Sequence, residues 1–469
     1  MKNHADALIF NLQFEPGRHM FTSCEEWGIN MEKGKIRQWK RLTVACLIGA
    51  IAVSATACGN DGNLDVNLLE SNENNEKTVS MFSPMEKTEP DAENVARSAA
   101  DKTIRMAEEE LNVTVKYITY TAENYQDKTY DDVTLDRARN NMDDFYLLNP
   151  DTIRTLGEEE LLMDLSGLDC VENLRDVVIT ANTINGKLIA IPQEVVAYGL
   201  FINKDMFDQY HLELPETPEE FLECCRVFKE NGIETPVGAN RWWLETFVLA
   251  QAYADLYNGG NTEAEIAALN NGESKYSDYM RPGFEFLQEM IDCGYIDAKK
   301  AYVSEAIEGE GEDFLNQKTP IVMAYWGAAN SETAYGNTDF NMLVIGFPSS
   351  CGQMPVISMT GYSVGMNAEN KECAMQVLDV ILSDEALQVY ADTNKVISAS
   401  KNVQVDCISE LKPLNDRIEE NVYVLGANAG MKVEQWGNTC LIVRELLNGA
   451  TVDECMAEFD RLQEEALAE

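Results

Sequence analysis

The chain has 469 residues and a formal net charge of −44 at pH 7, with 80 Asp and Glu against 36 Lys and Arg. Such an acidic excess argues against nucleic-acid binding, because phosphate recognition needs basic faces. Three histidines in total argue against a His-rich metal cluster and a Ser-His-Asp triad, while an apolar fraction of 45% is ordinary for a folded core.

The first predicted element is a short apolar segment over residues 42–57, which follows five basic residues between Lys33 and Arg41. Its apolar core is shorter than the ~20 residues that a membrane-spanning helix needs. A basic start, a short apolar core and small residues at the end predict a secretory signal over about 31–57, the alternative being a buried or membrane helix. We expect translation to start at Met31, and residues 1–30 are left out of the fold prediction.

This segment ends in Ala55-Thr56-Ala57-Cys58, which resembles a bacterial lipobox, although Ala55 stands where Leu is usual. In that family of signals the cysteine is acylated with diacylglycerol and becomes the new N-terminus. The resemblance implies lipidation at Cys58, and two acyl chains anchor a protein stably. Residues 58–77 are rich in Asn, Asp and Glu, which predicts a flexible tether.

Strand and helix patterns alternate along the rest of the chain. Strand patterns cover 78–84, 112–120, 143–151, 186–207 and 320–327, and helical patterns cover 96–111, 217–233, 370–392 and 451–469. The helix at 217–233 has the clearest start, with Thr217 as N-cap, Pro218 at N1 and Glu220 at N3, and Gly232 at its exit. The alternation predicts an α/β fold.

The number and spacing of the cysteines and histidines do not predict a catalytic or metal-binding site. Nine cysteines follow Cys58 without C-x-x-C spacing, so we expect small buried side chains rather than a disulfide framework or a zinc site. His211 is the only histidine after Cys58, and we expect it on a surface loop. We predict no catalytic residue, no metal and no cofactor.

Several stretches, taken in order, resemble one family. GKLIAIP and YGLFINKDMFDQYHLELPETPEEFLECCRVFKENGI lie within 186–233, and DDFYLLNPDTIRTLGEEELLMDLSGL precedes them at 143–168. FLNQKTPIVMAYWG and GYSVGMNAENKECAMQVLDVILSDEALQVYA follow at 314–327 and 361–391. Together they resemble the extracellular solute-binding proteins of ABC importers, in the sugar-binding branch that includes the maltose-binding proteins. Ile202 departs from the Tyr common in this family, and 394–402 lacks its usual Pro.

The resemblance implies an α/β, two-lobe periplasmic-binding-protein-like fold with hinge-crossing strands and an interlobe ligand cleft. We expect the crossings near 190–193, 359–362 and 398–403. Lobe 1 would hold 78–191 and 361–400, and lobe 2 would hold 192–360 and 401–469. The ligand would lie between the lobes, and hinge closure would bury it.

Aromatic planes suit the C–H faces of sugars, and carboxylate, amide or Arg groups suit their hydroxyls. Trp326 stands where this family commonly places a stacking Trp, with core packing as the alternative. Of Trp242 and Trp243, we expect one to face the cleft and the other to face the core.

The remaining candidates each have a structural alternative. Asp144 would accept hydrogen bonds from ligand hydroxyls, whereas Asp143 is expected to be solvated. Glu194 would either do the same or form a salt bridge with Arg241. The other candidate ligand contacts are Tyr198 and Tyr362, for which hinge packing is the alternative, and Trp436.

The resemblance implies a membrane-anchored substrate-binding subunit of an ABC transporter, which captures a carbohydrate by hinge closure and delivers it to the permease. An oligosaccharide is the leading ligand, and the few basic residues near the site argue against a strongly anionic one. We expect a monomer, anchored by lipid on the extracellular face of the bacterial cytoplasmic membrane. The alternatives are a binding protein for another solute such as a peptide, a surface adhesin, or a surface glycoside hydrolase with two carboxylates about 5–9 Å apart.

Overall fold

The computed structural model describes residues 77–84, 87, 95–121, 123–125, 128–241, 243–304, 310–325, 338–404, 409–427 and 430–468. The predicted signal, Cys58 and the tether up to residue 76 lie outside these residues, as do Trp242 and Trp326. Within the described ranges, no helix combines the length and the apolar character needed to cross a bilayer.

The described strands are short and spread along the chain. They are β1 (Lys77–Ser83), β2 (Val113–Thr119), β3 (Phe145–Leu148), β4 (Thr183–Ile184), β5 (Lys187–Leu188), β6 (Ala197–Asn203), β7 (Val237–Gly238), β8 (Ile321–Tyr325), β9 (Met342–Ile345), β10 (Phe347–Ser349), β11 (Gly352–Met354), β12 (Val356–Ile357), β13 (Gly361–Val364) and β14 (Val424–Leu425).

Helices lie between several of these strands and after the last one. They are α1 (Val95–Leu111), α2 (Tyr130–Arg139), α3 (Pro150–Glu158), α4 (Asp176–Asn182), α5 (Lys204–Gln209), α6 (Pro218–Glu230), α7 (Leu244–Asn258), α8 (Thr262–Asn270), α9 (Tyr276–Asp292), α10 (Ala298–Val303), α11 (Glu310–Leu315), α12 (Lys371–Ile381), α13 (Asp384–Asn394), α14 (Lys412–Glu419), α15 (Trp436–Leu447) and α16 (Val452–Ala468). Two short 3₁₀ turns lie at Asp169–Asn173 and Ser409–Leu411.

Lobe 1 is built on a four-stranded sheet with the order β13-β3-β1-β2. Strands β1, β2 and β3 run parallel, whereas β13 pairs antiparallel with β3. Helices α12 and α13 pack on α1 beside this sheet. Because the carboxyl ends of the three parallel strands meet at one edge, the loops that follow them lie at the same end of the lobe.

Lobe 2 is built on a six-stranded sheet in which β6 is central. Strand β6 pairs antiparallel with β8 on one side and with β9 and β12 on the other, and all of its residues are buried. A Cβ atom at Gly199 would lie 2.2 Å from the carbonyl oxygen of Ile345 in β9, so only glycine fits this crossing of backbones. Strands β7 and β14 are the two edge strands of the sheet.

Three segments cross between the lobes side by side, as predicted. The backbones of Ile191 and Tyr362 exchange hydrogen bonds of 3.0 and 2.9 Å, which joins the first crossing to the second. The amide of Val195 donates to Ile397, which joins the first crossing to the third. The two-lobe fold with hinge-crossing strands is therefore the fold of this chain, while the residue boundaries given above for the lobes stay a prediction.

Local side-chain hydrogen bonds explain the start of α6 and the break between α12 and α13. Thr217 forms the predicted capping box with Glu220 at the start of α6, and His211 is exposed as expected. The single helix predicted over 370–392 is wrong: it is two helices, because the Ser383 side chain accepts a hydrogen bond from the amide of Ala386 and caps α13. Of the eight described cysteines, all free, six are buried, Cys351 is partly exposed and Cys293 is exposed.

Candidate ligand-binding site

A cavity lies between the two lobes, at the carboxyl edge of the lobe 1 sheet. Strand β3 ends at Leu148, and Pro150 starts α3 after the N-cap residue Asn149, so the sequence Asn-Pro turns the chain at this edge. The enclosed space is about 20 Å³, room for about one water molecule, and the groove around it is open to solvent. Lobe 1 lines it with Pro150, Ile153, Arg154, Ala181, Asn182 and Ile184; the other side is lined by Ile357, Ser358, Met359, Ala427 and Gly430.

Three buried polar atoms, two on residues that line this cavity and one on the residue after Pro150, have no hydrogen-bond partner among the described residues. They are Oγ of Ser358, Nε of Arg154 and Oδ1 of Asp151. Ser358 is only 4% exposed, and it comes from the second crossing segment. Because buried polar groups are nearly always paired in native proteins, unpaired donors and acceptors grouped around one cavity indicate a place for a polar ligand or for water.

Asp151 and Glu434 interact electrostatically with Arg154, which lines the cavity. Burial raises the pKa of Asp151 well above its usual range, and the negative charge of Glu434 adds to this effect, while Arg154 opposes it. Burial also raises the pKa of Glu434, although hydrogen bonds from the amides of Gly437 and Asn438, at 2.8 and 3.0 Å, favour its charged form. Asp151 lies in the first turn of α3, and Glu434 lies between β14 and α15.

A further carboxylate supports the lobe 1 side. Asp131, in the first turn of α2, accepts hydrogen bonds from the side chains of Asn149 and Thr152 at 3.0 and 2.8 Å. Burial raises its pKa. These bonds fix the start of α3 against α2 and so fix the position of Asp151. In the described part of the chain, no group of His, Cys, Asp and Glu has the arrangement of a metal site.

Asp144 has a structural role. Its Oδ2 accepts hydrogen bonds from the amide and hydroxyl of Ser80 at 2.8 and 2.9 Å, and its Oδ1 accepts from the amide of Asn370 at 2.8 Å. We therefore leave it out of the site proposed below. The expectation that Asp143 is solvated is wrong: it is 3% exposed and accepts two hydrogen bonds of 2.7 Å from Arg137.

The salt bridge predicted between Glu194 and Arg241 is not formed. Oε1 of Glu194 instead accepts a 2.9 Å hydrogen bond from the hydroxyl of Tyr390 in α13, so the first crossing segment is tied to lobe 1. The guanidinium of Arg241 donates to the carbonyl of Tyr302 at 3.2 Å. Whether either residue contacts a ligand stays a prediction.

The described aromatic candidates are buried side chains. Trp243 is 4% exposed and belongs to the main apolar core. Trp436 starts α15, and its ring packs on Tyr198 with ring centres 5.0 Å apart. The hydroxyl of Tyr362 donates to Gln193 at 3.4 Å within the crossing segments. Their contact with a ligand stays a prediction, as it does for Trp242 and Trp326 outside the described residues.

Four residues in or near the cavity were missed by the sequence analysis: Arg154 and Ser358, which line it, and Asp151 and Glu434, which interact with Arg154. A signal existed for Asp151 and Arg154, because Asn149-Pro150-Asp151 follows directly after a buried strand, where loops at a sheet edge carry ligand contacts. No comparable local signal marks Ser358 or Glu434. Their position depends on crossings that bring distant parts of the chain together.

Comparison with known families decides the class of protein. Residues 93–388 match the family model of the bacterial extracellular solute-binding proteins, which is more than half of the chain. The chain belongs to this family. Its members are extracellular binding proteins rather than enzymes, in agreement with the resemblance described above.

Solved structures of this family share the two-lobe fold. A family 1 extracellular solute-binding protein from Bifidobacterium longum subsp. infantis matches with a TM-score of 0.66 and 17% identity, over 82% of this chain and 98% of that one. Apo RafE from Streptococcus pneumoniae matches with a TM-score of 0.65 and 14% identity, over 85% and 100%. RafE in complex with raffinose matches with a TM-score of 0.61 and 14% identity, over 83% and 99%. No curated protein sequence matches this solute-binding protein significantly.

Proposed function

We propose that this chain is the substrate-binding subunit of an ABC importer for a carbohydrate, with an oligosaccharide as the leading ligand. The ligand binds in the cavity between the lobes, and closure of the lobes about the three crossing segments holds it there. The closed form then presents a surface that the permease recognises, which is a population shift and needs no chemical step.

The observation that carries this proposal is the set of unpaired polar atoms at the interlobe cavity. Ser358 Oγ, Arg154 Nε and Asp151 Oδ1 supply a hydroxyl, a donor and an acceptor, which is the mixture that sugar hydroxyls can satisfy. The raffinose complex of RafE, a protein of the same fold, supports a sugar as the ligand class.

We also propose that Cys58 carries a lipid that anchors the protein on the extracellular face of the cytoplasmic membrane. Supporting this are the lipobox-like sequence before Cys58 and the family's extracellular character. Mass spectrometry of the protein from a membrane fraction tests it: we expect an acylated N-terminal cysteine, and an unmodified residue 58 would overturn the anchor.

The binding proposal is tested by titrating the purified protein with a panel of mono- and oligosaccharides, using tryptophan fluorescence and thermal unfolding. We expect saturable binding with the sugar recovered intact, and a loss of affinity of at least 10-fold in Ser358→Ala or Asp151→Asn. Glu109→Gln is the control, because Glu109 is exposed on α1 and is not among the residues that line the cavity. Conversion of the sugar to a product would favour a hydrolase instead, and no response to any sugar would contradict the proposal.

A further inference from the structure

One residue in the wall of the interlobe cavity carries a buried hydroxyl group that no described residue pairs with. Ser358 lines the cavity, is 4% exposed, and its Oγ has no hydrogen-bond partner in the described part of the chain. Its backbone is nevertheless fixed, because its amide donates to the carbonyl of Val196 at 3.1 Å. An unpaired buried hydroxyl lowers the stability of a fold, so its place in a cavity wall indicates a contact with a ligand.

The neighbours of this hydroxyl limit the kind of group that pairs with it. Ile357 and Met359 flank Ser358 in the chain and line the same cavity with aliphatic side chains. Arg154, on the lobe 1 side, brings a second buried polar atom, because its Nε has no hydrogen-bond partner among the described residues. A wall of aliphatic carbon with one hydroxyl and one N–H donor suits a hydroxyl group carried on a methylene carbon.

The size of the enclosed space decides which part of a sugar enters it. Its volume is about 20 Å³, so it takes one group of the size of a water molecule, and the ring of a sugar has to lie in the open groove. A hydroxyl attached directly to the ring does not enter without the ring itself. The exocyclic hydroxymethyl group of a hexose carries its oxygen one carbon further out, so this oxygen enters while the ring stays in the groove.

We infer that Ser358 selects sugars with an exocyclic hydroxymethyl group, namely hexoses and their oligomers, over pentoses and 6-deoxy sugars. The hydroxymethyl oxygen pairs with Oγ of Ser358 and accepts from Nε of Arg154, and its methylene carbon contacts the aliphatic side chains beside them. This inference rests on the proposed function and specifies the ligand class of the same site. A sugar without this group leaves both buried polar atoms unpaired, and binding sites reject such analogues most strongly.

Matched sugars that differ in one group test this inference. Calorimetry measures the affinity of the purified protein for glucose, xylose and 6-deoxyglucose, for galactose, L-arabinose and D-fucose, and for cellobiose beside xylobiose. In at least one series we expect the sugar with the hydroxymethyl group to bind about 10-fold more tightly than its counterparts, or better. The 6-deoxy sugars keep the carbon and lose only the oxygen, so they separate the hydrogen bonds from the apolar contact.

Two variants separate this role from a structural one. Without sugar, Ser358→Ala should unfold at the temperature of wild type or higher, because it removes an unpaired buried hydroxyl, and its preference for the hydroxymethyl group should fall to within about 3-fold. Arg154→Lys keeps the charge but removes Nε, so it should lower the same preference and serves as the second variant. Glu109→Gln, exposed on α1, should keep the wild-type preference.

Three outcomes would contradict the inference. Pentoses and 6-deoxy sugars that bind as tightly as the hexose in every series would overturn it and leave the proposed function intact. A Ser358→Ala variant that unfolds at a lower temperature and keeps the wild-type preference would show that Oγ pairs with an ordered water only, which also overturns it. Absence of binding to every sugar would overturn both the inference and the proposed function.

Discussion

At the scale of single residues, Glu194 shows how a crossing segment combines burial with one specific hydrogen bond. Burial raises its pKa to about 7, although the hydroxyl of Tyr390 opposes this by stabilising the charged form. The charge of Glu194 in turn raises the pKa of Tyr362 and of Tyr390. The carboxyl group of Glu194, in the first crossing segment, therefore titrates near neutral pH.

Glu194 makes stability depend on pH. The folded chain holds its proton up to about pH 7, whereas the ordinary pKa of this group is 4.5, so the folded state binds more protons between these values. This contribution is complete below pH 4.5 and is lost as pH rises through 7. Glu194→Gln should remove this pH dependence and raise the free energy of unfolding at pH 8 by roughly 3 kcal/mol relative to wild type, because the shift from 4.5 to about 7 is about 2.5 pKa units and one unit is worth about 1.4 kcal/mol.

Urea unfolding at pH 5, 6, 7 and 8 measures this difference. The exposed Glu109, changed to Gln, is the control and should leave the pH profile unchanged. Tyr390→Phe removes the hydrogen bond to the charged form and should move the midpoint to higher pH. If Glu194→Gln and wild type kept parallel stability profiles over this range, the raised pKa would be contradicted.

At the scale of elements, local sequence determined some helix starts, and α6 is the clearest case. Thr217 accepts a hydrogen bond from the amide of Glu220, and the Glu220 side chain accepts from the amide of Thr217. Pro218 occupies N1, where its missing N–H costs nothing. These short-range bonds require no knowledge of the fold, which is why the sequence predicted this start correctly.

Removing the N-cap of α6 at Thr217 should lower the stability of the protein. Thr217→Ala should lower the free energy of unfolding by about 1 kcal/mol, because it leaves the amide of Glu220 without its side-chain acceptor. Thr217→Ser keeps the hydroxyl and should lose less than half as much. Chemical denaturation measures both, and equal losses in the two variants would argue against the cap as the cause.

The region 370–392 shows where sequence patterning failed. Apolar residues continue at helical spacing through Leu382, and this periodicity predicts one helix. Ser383-Asp384-Glu385 is nevertheless a helix start, with Ser383 as the cap of α13. Both α12 and α13 pack on α1, so the apolar pattern is continuous although the helix is not.

At the scale of the whole molecule, the sequence was sufficient for the fold but not for the site. The order of strands and helices, together with family-like segments at the crossings, predicted two lobes joined side by side. Asp151 and Glu434 are 283 positions apart in the numbering, and although Asp151 follows a buried strand, nothing local marks Glu434 among 80 acidic residues. Asp144 looked equally suitable at the end of its segment, yet Ser80 and Asn370 already occupy its oxygens.

The central claim is that a sugar binds between the lobes and draws them together. Small-angle X-ray scattering of the purified protein, without sugar and with a saturating amount of the tightest-binding sugar from the panel, tests it most directly. The account predicts a smaller radius of gyration in the bound state, in wild type and Glu109→Gln alike. Saturating binding with an unchanged scattering profile would contradict closure about the crossing segments.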